Sequence, residues 1–341
     1  MNRLRWAPLA AIPAALAGWL LDPAGFLAGY LVAWWCWVGL CMGVLANGWL
    51  HTLSGGAWGQ ALQAPVPAVG RSVGLAALLF LPVLGGLQLL YPWSAQHGWD
   101  AGLAAPAFKR IWLSRTFFTA RAAGYLVLWC ALAWRSLRSG QAHAHGFAAA
   151  ALIIYGLSVG MASMDWIMSL MPLWYSSVFG LVCGVVQMLG GMALAILLAA
   201  PDEQRLLPDL GNLLLMYVLS WAYLEYVQFL IIWAANLPHE ILWYTARAQS
   251  PWLALDWLLV IGLFVIPLLA LVQRTLKRQA AGMKRLALLV LAMVFVHACW
   301  LVLPSLPGPP RRWLMELPLA AVTVGALALL PWSRRGRRAH G

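Results

Sequence analysis

The chain consists of apolar runs of about 20 residues that alternate with short polar segments. In helical conformation, a run of about 20 residues spans the roughly 30 Å hydrocarbon core of a bilayer. Charged residues make up only 9% of the sequence, whereas soluble domains carry about 25%. The runs are also too long and too uniformly apolar to be the strands of a barrel. The sequence therefore predicts an all-α, polytopic integral membrane protein.

Ten of these runs predict ten transmembrane helices within a single transmembrane domain, residues 1–341. The predicted spans are residues 6–21, 24–50, 73–91, 117–134, 147–170, 175–198, 210–235, 252–272, 286–303 and 313–332. Residues 1–22 resemble a signal peptide, but no cleavage site precedes a soluble domain, so we expect a retained first helix. A first bundle covers residues 23–170, a second bundle residues 171–304, and the last helix with a basic tail residues 305–341. Pro65 and Pro67 are expected in a loop.

The distribution of basic residues predicts the orientation. Ten spans place both termini on one side of the membrane, and that side would carry 15 of the 22 Lys and Arg residues, Arg3, Arg5 and the tail Arg334–Arg338 among them. Cytoplasmic segments of membrane proteins are enriched in Lys and Arg, so both termini are expected in the cytoplasm. Basic residues in short loops also account for the net charge of +12 without a nucleic-acid partner.

We expect no haem, no covalently bound cofactor and no metal site in this chain. The five cysteines form neither a CxxC pair nor a CxxCH haem-attachment motif. Four of them lie within apolar runs, which is typical of small buried hydrophobic residues. A haem b would need two inward-facing histidines at one depth, but His51 and His297 fall at different predicted depths.

The acid Asp165 lies near the end of the fifth predicted span, because Pro172 cannot continue the helix. A charged side chain in hydrocarbon costs at least about 2.5–3.5 kcal/mol, so it usually faces a bundle interior or a water path. Asp165 therefore has two interpretations. It carries protons, or it forms a structural ion pair with Arg115, Arg121 or Arg247.

Other ionisable residues fall at several predicted depths, as a proton relay requires. Glu225 lies near the middle of the seventh span, and His51 lies at the inner end of the second. His297 is either a relay group or a hydrogen-bonded interior residue, and Asp256 either a relay group or a partner of the helix dipole. The candidate proton path comprises Asp165, Glu225, His297, His51, Asp256 and Glu240.

Four segments resemble a known family. They are Leu50–Gly59, Met164–Leu170, Trp174–Gly180 and Gln228–Tyr244, and in sequence and order they are similar to the ActF subunit of bacterial alternative complex III. That complex is a quinol:cytochrome c or quinol:oxidase oxidoreductase, and ActF is related to the NrfD-type membrane subunits that interact with quinol. The resemblance implies ten transmembrane helices with two central four-helix bundles, in the bacterial inner membrane.

The resemblance also implies partners and a role. Expected partners are a related quinol-oxidising membrane subunit, iron–sulfur and multihaem cytochrome c subunits, and in some complexes a terminal oxidase. Haem and iron–sulfur centres are expected only in those partners. ActF-like subunits are thought to conduct protons, and Asp165, Glu240 and His51 match the motif positions here.

This chain departs from the family pattern at three positions. The family usually carries an acid and a histidine where this chain has Met171 and Leu173. The ninth span carries His297 where the family usually has an acid. These changes remove groups from the expected outer part of the proton path.

The favoured interpretation is a membrane subunit in which Asp165 and Glu225 change protonation when a partner oxidises quinol. A second is that this chain itself binds quinol or menaquinol, in a site formed by Trp166, Asp165 and His239. A third is a structural anchor without a proton path. A fourth is a secondary transporter, whose broken helices would need the glycine pairs at 85–86 or 190–191.

Overall fold

The computed structural model describes residues 7–95, 99–100, 103, 105–138, 145–199, 205–249, 251–308 and 313–328. All regular elements within these ranges are helical, so the predicted all-α class is confirmed. The basic residues Arg3 and Arg5 and the tail Arg334–Arg338, which support the predicted orientation, lie outside the described residues.

Ten main helices follow one another along the described chain. They are α1 (Ala7–Leu21), α2 (Pro23–Ser54), α3 (Pro65–Leu78, continued by Leu81–Gly85), α4 (Arg115–Ser136), α5 (His145–Trp166), α6 (Phe179–Leu198), α7 (Leu207–Ala235), α8 (Trp252–Leu259, Val260–Val265 and Ile266–Val272), α9 (Ala280–Val302) and α10 (Trp313–Ala328). Short helices in the connections are Ala57–Leu62, Leu87–Leu90, Pro92–Ala95, Pro106–Trp112, Met168–Leu170, Pro238–Arg247, Arg274–Lys277 and Leu303–Ser305.

Eight of the described helices, α2 to α9, are long and apolar enough to cross a membrane. Their outward faces carry large apolar side chains such as Val127, Leu157 and Leu269, which are exposed in the isolated chain and suited to lipid. The protein is therefore a multi-pass membrane protein. The first and last predicted spans are shorter, 15 residues in α1 and 16 in α10, and they pack against each other and against α2.

The eight long helices form two closed rings of four. In the first bundle, α2 contacts α3, α3 contacts α4, α4 contacts α5, and α5 returns to α2. In the second bundle, α6, α7, α8 and α9 contact one another in the same cyclic way. The two rings meet where α2 packs on α6 and α9, and α5 packs on α6.

Glycines make the contact between α2 and α6 very close. A Cβ atom on Gly43 of α2 would lie 1.8 Å from the carbonyl oxygen of Gln187. On α6, a Cβ on Gly191 would lie 2.3 Å from the carbonyl carbon of Gly43. Small residues let membrane helices approach until backbones touch, which replaces the hydrophobic driving force that lipid does not supply.

Several helix boundaries differ from the sequence prediction, and those of α3 and α9 differ most. The third span was expected at residues 73–91, but α3 starts at Pro65 and its continuation ends at Gly85. Pro65 occupies the first helical position, where the missing N–H is not needed and the fixed φ favours a helix. In α9, Lys284 and Arg285 lie inside a helix that starts at Ala280 instead of residue 286. Long basic side chains at such positions reach the membrane surface.

The eighth span contains an irregularity that the sequence does not predict. Residues Val260–Val265 form a π-helical segment between the two α-helical parts of α8. Such segments are frequent at functional sites. In contrast, the glycine pair at 190–191 lies inside the continuous helix α6, so α6 is not one of the broken helices that a transporter would need.

The glycine contact between the bundles yields a stability prediction. We expect Gly43→Ala to lower the free energy of unfolding by about 1–3 kcal/mol, because the added methyl group overlaps the α6 backbone. The control is Gly74→Ala on α3, where a Cβ meets nothing within 4 Å. Thermal unfolding of the purified chain in detergent measures both, and equal melting temperatures for the two variants would contradict the prediction.

Candidate functional site

The two acids of the hypothesised mechanism lie in different bundles. Asp165 is at the end of α5 in the first bundle, and Glu225 is in α7 of the second. Among the described residues no hydrogen bond or ion pair joins them. Each has its own partners, and these partners differ in chemistry.

Asp165 is 1% exposed and forms a salt bridge with Arg121 of α4. Arg121 Nε donates to Oδ2 at 2.8 Å and Nη2 donates to Oδ1 at 2.9 Å. Tyr125 Oη donates to Oδ2 at 2.9 Å, and Trp112 Nε1 donates to Oδ1 at 3.0 Å. The guanidinium also lies over the Trp112 ring, 4.0 Å from its centroid. Both carboxylate oxygens are therefore fully engaged, and the pair fastens α4 to α5.

The three residues of the predicted quinone site are not brought together. Trp166 is fully buried in the first bundle, where its ring contacts Trp34, Trp35, Phe80, Tyr125 and Trp129. The Asp165 carboxylate is engaged by Arg121. His239 lies exposed in the connection after α7, with its ring stacked on Tyr175 at 6.0 Å. None of the three side chains lines the cavities found among the described residues.

Glu225 and His297 form a partly buried pair in the second bundle. His297 Nε2 lies 3.0 Å from Glu225 Oε1, across the contact between α7 and α9. His297 is 1% exposed, and the Glu225 side chain is 18% exposed. The rings of Trp221 and Trp300 pack against the imidazole. A carboxylic acid and an imidazole in hydrogen-bond contact can share or exchange one proton.

The pair lies in the wall of a cleft of about 560 Å³ between α7, α8 and α9. Most of the lining is apolar or aromatic, and its polar groups are Glu225, His297, Asp256 and the phenols of tyrosines. Tyr223 and Tyr226 line the cleft and are exposed on the outside of the bundle, so the cleft opens towards the lipid. Ionisable groups within a membrane usually mark the pathways of substrates, ions or protons.

The π-helical segment of α8 contributes directly to this cleft. Val260 and Phe264 lie in the segment and line the cleft. Asp256 lines the cleft about one turn before the segment. The irregular turn thus lies opposite Glu225, at the place where the three helices enclose open space.

A buried arginine lies at the end of the second bundle where α7 and α9 end. Arg247 is 2% exposed and ends the short helix Pro238–Arg247. Its Nε donates to the Trp300 carbonyl at 3.1 Å, its Nη2 donates to the Leu301 carbonyl at 2.8 Å, and its guanidinium carbon lies 3.2 Å from the Trp243 ring centroid. Within the described residues it forms no ion pair. Burial lowers the pKa of Arg247 well below its usual value.

Met171, one of the positions at which this chain departs from the pattern of the family that it resembles, contacts this arginine. Met171 places its sulfur 4.0 Å from Arg247 Nη1, where the family usually carries an acid. Leu173 is exposed, so the histidine usual at this position would lie at the surface. Glu240 is half-buried in the first turn of the short helix, a position that suits the helix dipole.

The opposite end of the helices, where α2 ends, contains a second polar region. His51 Nε2 lies 2.9 Å from the Gly56 carbonyl, and His51 lines a cavity of about 300 Å³ with Thr52 and Gln63. One turn deeper, the buried Asn47 accepts a hydrogen bond from Tyr217 Oη at 2.8 Å. Asn47 Nδ2 donates to the Met188 carbonyl at 2.9 Å, so this amide joins α2, α6 and α7.

Sequence reasoning missed several of these groups. Tyr217, Tyr125 and Trp112 are not distinguished in the sequence from the many other aromatic residues. Gln187 could have been identified from the sequence as a candidate polar group of the helix contacts, because it is an amide within an otherwise apolar run. No protein-family model and no curated protein sequence matches this chain. A functional proposal for this chain therefore rests on the resemblance of its four sequence segments and on the contacts described above.

The first-bundle ion pair yields a second prediction. Removing one partner leaves a buried unpaired charge, so Arg121→Met should lower the free energy of unfolding by about 3–5 kcal/mol. Adding Asp165→Leu to this variant should recover much of the loss, because no charge then remains to be buried. Thermal or denaturant unfolding of both variants measures this, and a double variant as unstable as the single one would contradict a structural ion pair.

Proposed function

We propose that this chain is a membrane subunit of a bacterial respiratory complex that oxidises quinol, and that it conducts protons between the membrane surfaces. The proposal includes an inner-membrane location with both termini cytoplasmic. It also includes a quinol-oxidising membrane partner and partners that carry iron–sulfur and haem centres. The observation that carries it is the Glu225–His297 pair, a partly exposed acid and a buried imidazole 3.0 Å apart in the wall of a cleft.

The positions of polar groups support a route across the protein. With cytoplasmic termini, α2 runs inward and α7 and α9 run outward. Glu225 and His297 then lie in the outer half, and Tyr217 with Asn47 in the inner half. Tyr217 precedes Glu225 by eight residues of α7, which is about 12 Å along a helix. His51 and its cavity complete the series at the inner end.

Within this proposal Glu225 and His297 hold the mobile proton, and Asp165 holds the first bundle together. Asp165 accepts hydrogen bonds from Arg121, Tyr125 and Trp112, which supports a fixed charge. Glu225 has the single partner His297 among its side-chain hydrogen bonds to described residues. A proton delivered to this pair can reside on the Glu225 oxygen or on His297 Nε2.

Replacing Glu225 tests the proposed proton route. Glu225→Gln keeps the size of the side chain and a hydrogen bond to His297, but it cannot release a proton. We expect the rate of proton transfer coupled to quinol oxidation to fall at least about tenfold, with assembly unchanged. Purified complex in liposomes containing a pH-sensitive dye measures this.

Asp209→Asn is the control for that experiment, because Asp209 is an exposed acid in the first turn of the same helix. Glu240→Gln is a second comparison at the outer surface. Proton transfer that is normal in Glu225→Gln and lost in Glu240→Gln would move the route away from the cleft.

A second candidate function is that quinol itself binds in the cleft. Its volume of about 560 Å³ lies within the usual range for ligand sites, roughly 300–1,000 Å³. The aromatic lining suits a quinone ring and its isoprenoid tail, and the Glu225 carboxyl suits a ring hydroxyl. Exposed tyrosines at the opening support an entrance on the lipid side, where quinol or menaquinol resides.

A substitution that fills the cleft distinguishes quinol binding in the cleft from proton conduction without it. Ala222 lines the cleft without being a polar group, so Ala222→Phe should exclude a ligand and leave the Glu225–His297 pair intact. If quinol binds here, labelling by a photoreactive quinone is lost in this variant. Ala234→Phe on the exposed face of α7 is the control. Undiminished labelling in Ala222→Phe would exclude this site.

A further inference from the structure

A small cavity lies on the far side of His297 from the cleft. It has a volume of about 20 Å³ and lies where α2, α6 and α9 meet, at the contact between the two bundles. Its walls include Gly39, Gln187, Val294 and His297. Since roughly 10–15 Å³ is enough for one water molecule, this cavity has room for one. His297 also lines the cleft, so its ring separates the two spaces.

Gln187 presents an unpartnered polar group to this cavity. The residue is 4% exposed, and its Oε1 accepts a hydrogen bond from Tyr155 Oη at 3.0 Å. Its Nε2 is buried and has no hydrogen-bond acceptor among the described residues. A buried amide N–H without a partner is strongly disfavoured. In a lining that is otherwise mostly apolar, the group that satisfies it must be small and able to accept a hydrogen bond.

Gly39 keeps this space open. A Cβ atom on Gly39 would lie 3.0 Å from Gln187 Cγ and 3.5 Å from Gln187 Nε2. The amide nitrogen therefore lies beside the part of the wall formed by Gly39. Any side chain there would enter the space between Gln187 and α2.

We propose that one water molecule binds in this cavity, accepts a hydrogen bond from Gln187 Nε2 and bonds to the imidazole of His297. Nε2 of the imidazole is directed to Glu225, so Nδ1 is the atom that the water meets. The water holds the ring with Nε2 towards Glu225. It also connects this pair in the second bundle to Tyr155 of the first bundle through Gln187.

This water site rests on the proposed function for its use, because it extends the proposed proton route, but its occupancy can be measured without respiratory activity. The first measurement is a high-resolution cryo-EM map of the full chain in its complex. We expect density for one water between Gln187 Nε2 and His297 Nδ1. An empty cavity in a map that resolves other buried waters would overturn the inference.

The second measurement is nitrogen NMR of the full-length protein with ¹⁵N-labelled histidine, with the His297 signals assigned from a His297→Asn sample. We expect Gln187→Leu, which removes the donor, and Gly39→Ala, which fills the space, to shift the Nδ1 resonance towards that of a nitrogen without a hydrogen bond. Gly184→Ala on α6 should leave the signal unchanged, because a Cβ there meets only Val159, at 4.0 Å.

The same variants distinguish a failure of the proposed water site from a failure of the proposed function. An unchanged Nδ1 signal in both Gln187→Leu and Gly39→Ala would overturn the water site, whatever the activity of Glu225→Gln. A shifted signal in both, together with normal proton transfer in Glu225→Gln, would support the water site and remove the proposed function. Thermal unfolding of each variant identifies any that is misfolded, and because the two substitutions act on different helices, one folded variant is sufficient.

Discussion

The organisation of this protein depends on the absence of water from the hydrocarbon core. A polar side chain within a membrane helix must find its partner inside the protein, because lipid cannot form the hydrogen bond. Asp165 meets Arg121, Glu225 meets His297, and Asn47 meets Tyr217. Each pair joins two different helices, so the requirement for hydrogen bonding also determines how the helices are arranged around one another.

The acids Asp165 and Glu225 differ in their hydrogen-bond partners and in their surroundings. The Asp165 carboxylate is held by a bidentate guanidinium and two further donors, and it is closed off from open space. Glu225 has an imidazole partner and a side chain that borders a cleft. Of the two acids, only Glu225 has an imidazole as its hydrogen-bond partner and also borders a cleft among the described residues.

Much of this fold is predictable from the sequence, because an apolar run of membrane-spanning length is a local property. Each of the eight long helices overlaps its predicted span. The pairings are less predictable: Glu225 and His297 are 72 residues apart, and their contact depends on how four helices close into a ring. Arg121 was one of three candidates for Asp165, since helix order alone could not choose among them. The π-helical segment Val260–Val265 consists of apolar residues and glycine, and nothing in that composition distinguishes it from an ordinary α-helix.

The close approach of Gly43 and Gly191 has a consequence for motion. Transport by alternating access requires one bundle to rock against the other around a central substrate. Here the backbones of α2 and α6 touch with no side chain between them, so a rocking motion would have to separate two surfaces that fit at the level of main-chain atoms. The bundles should therefore behave as one rigid body. On the proposed function, protons would therefore pass by rotation of side chains and exchange of hydrogen bonds, while the helices stay in place.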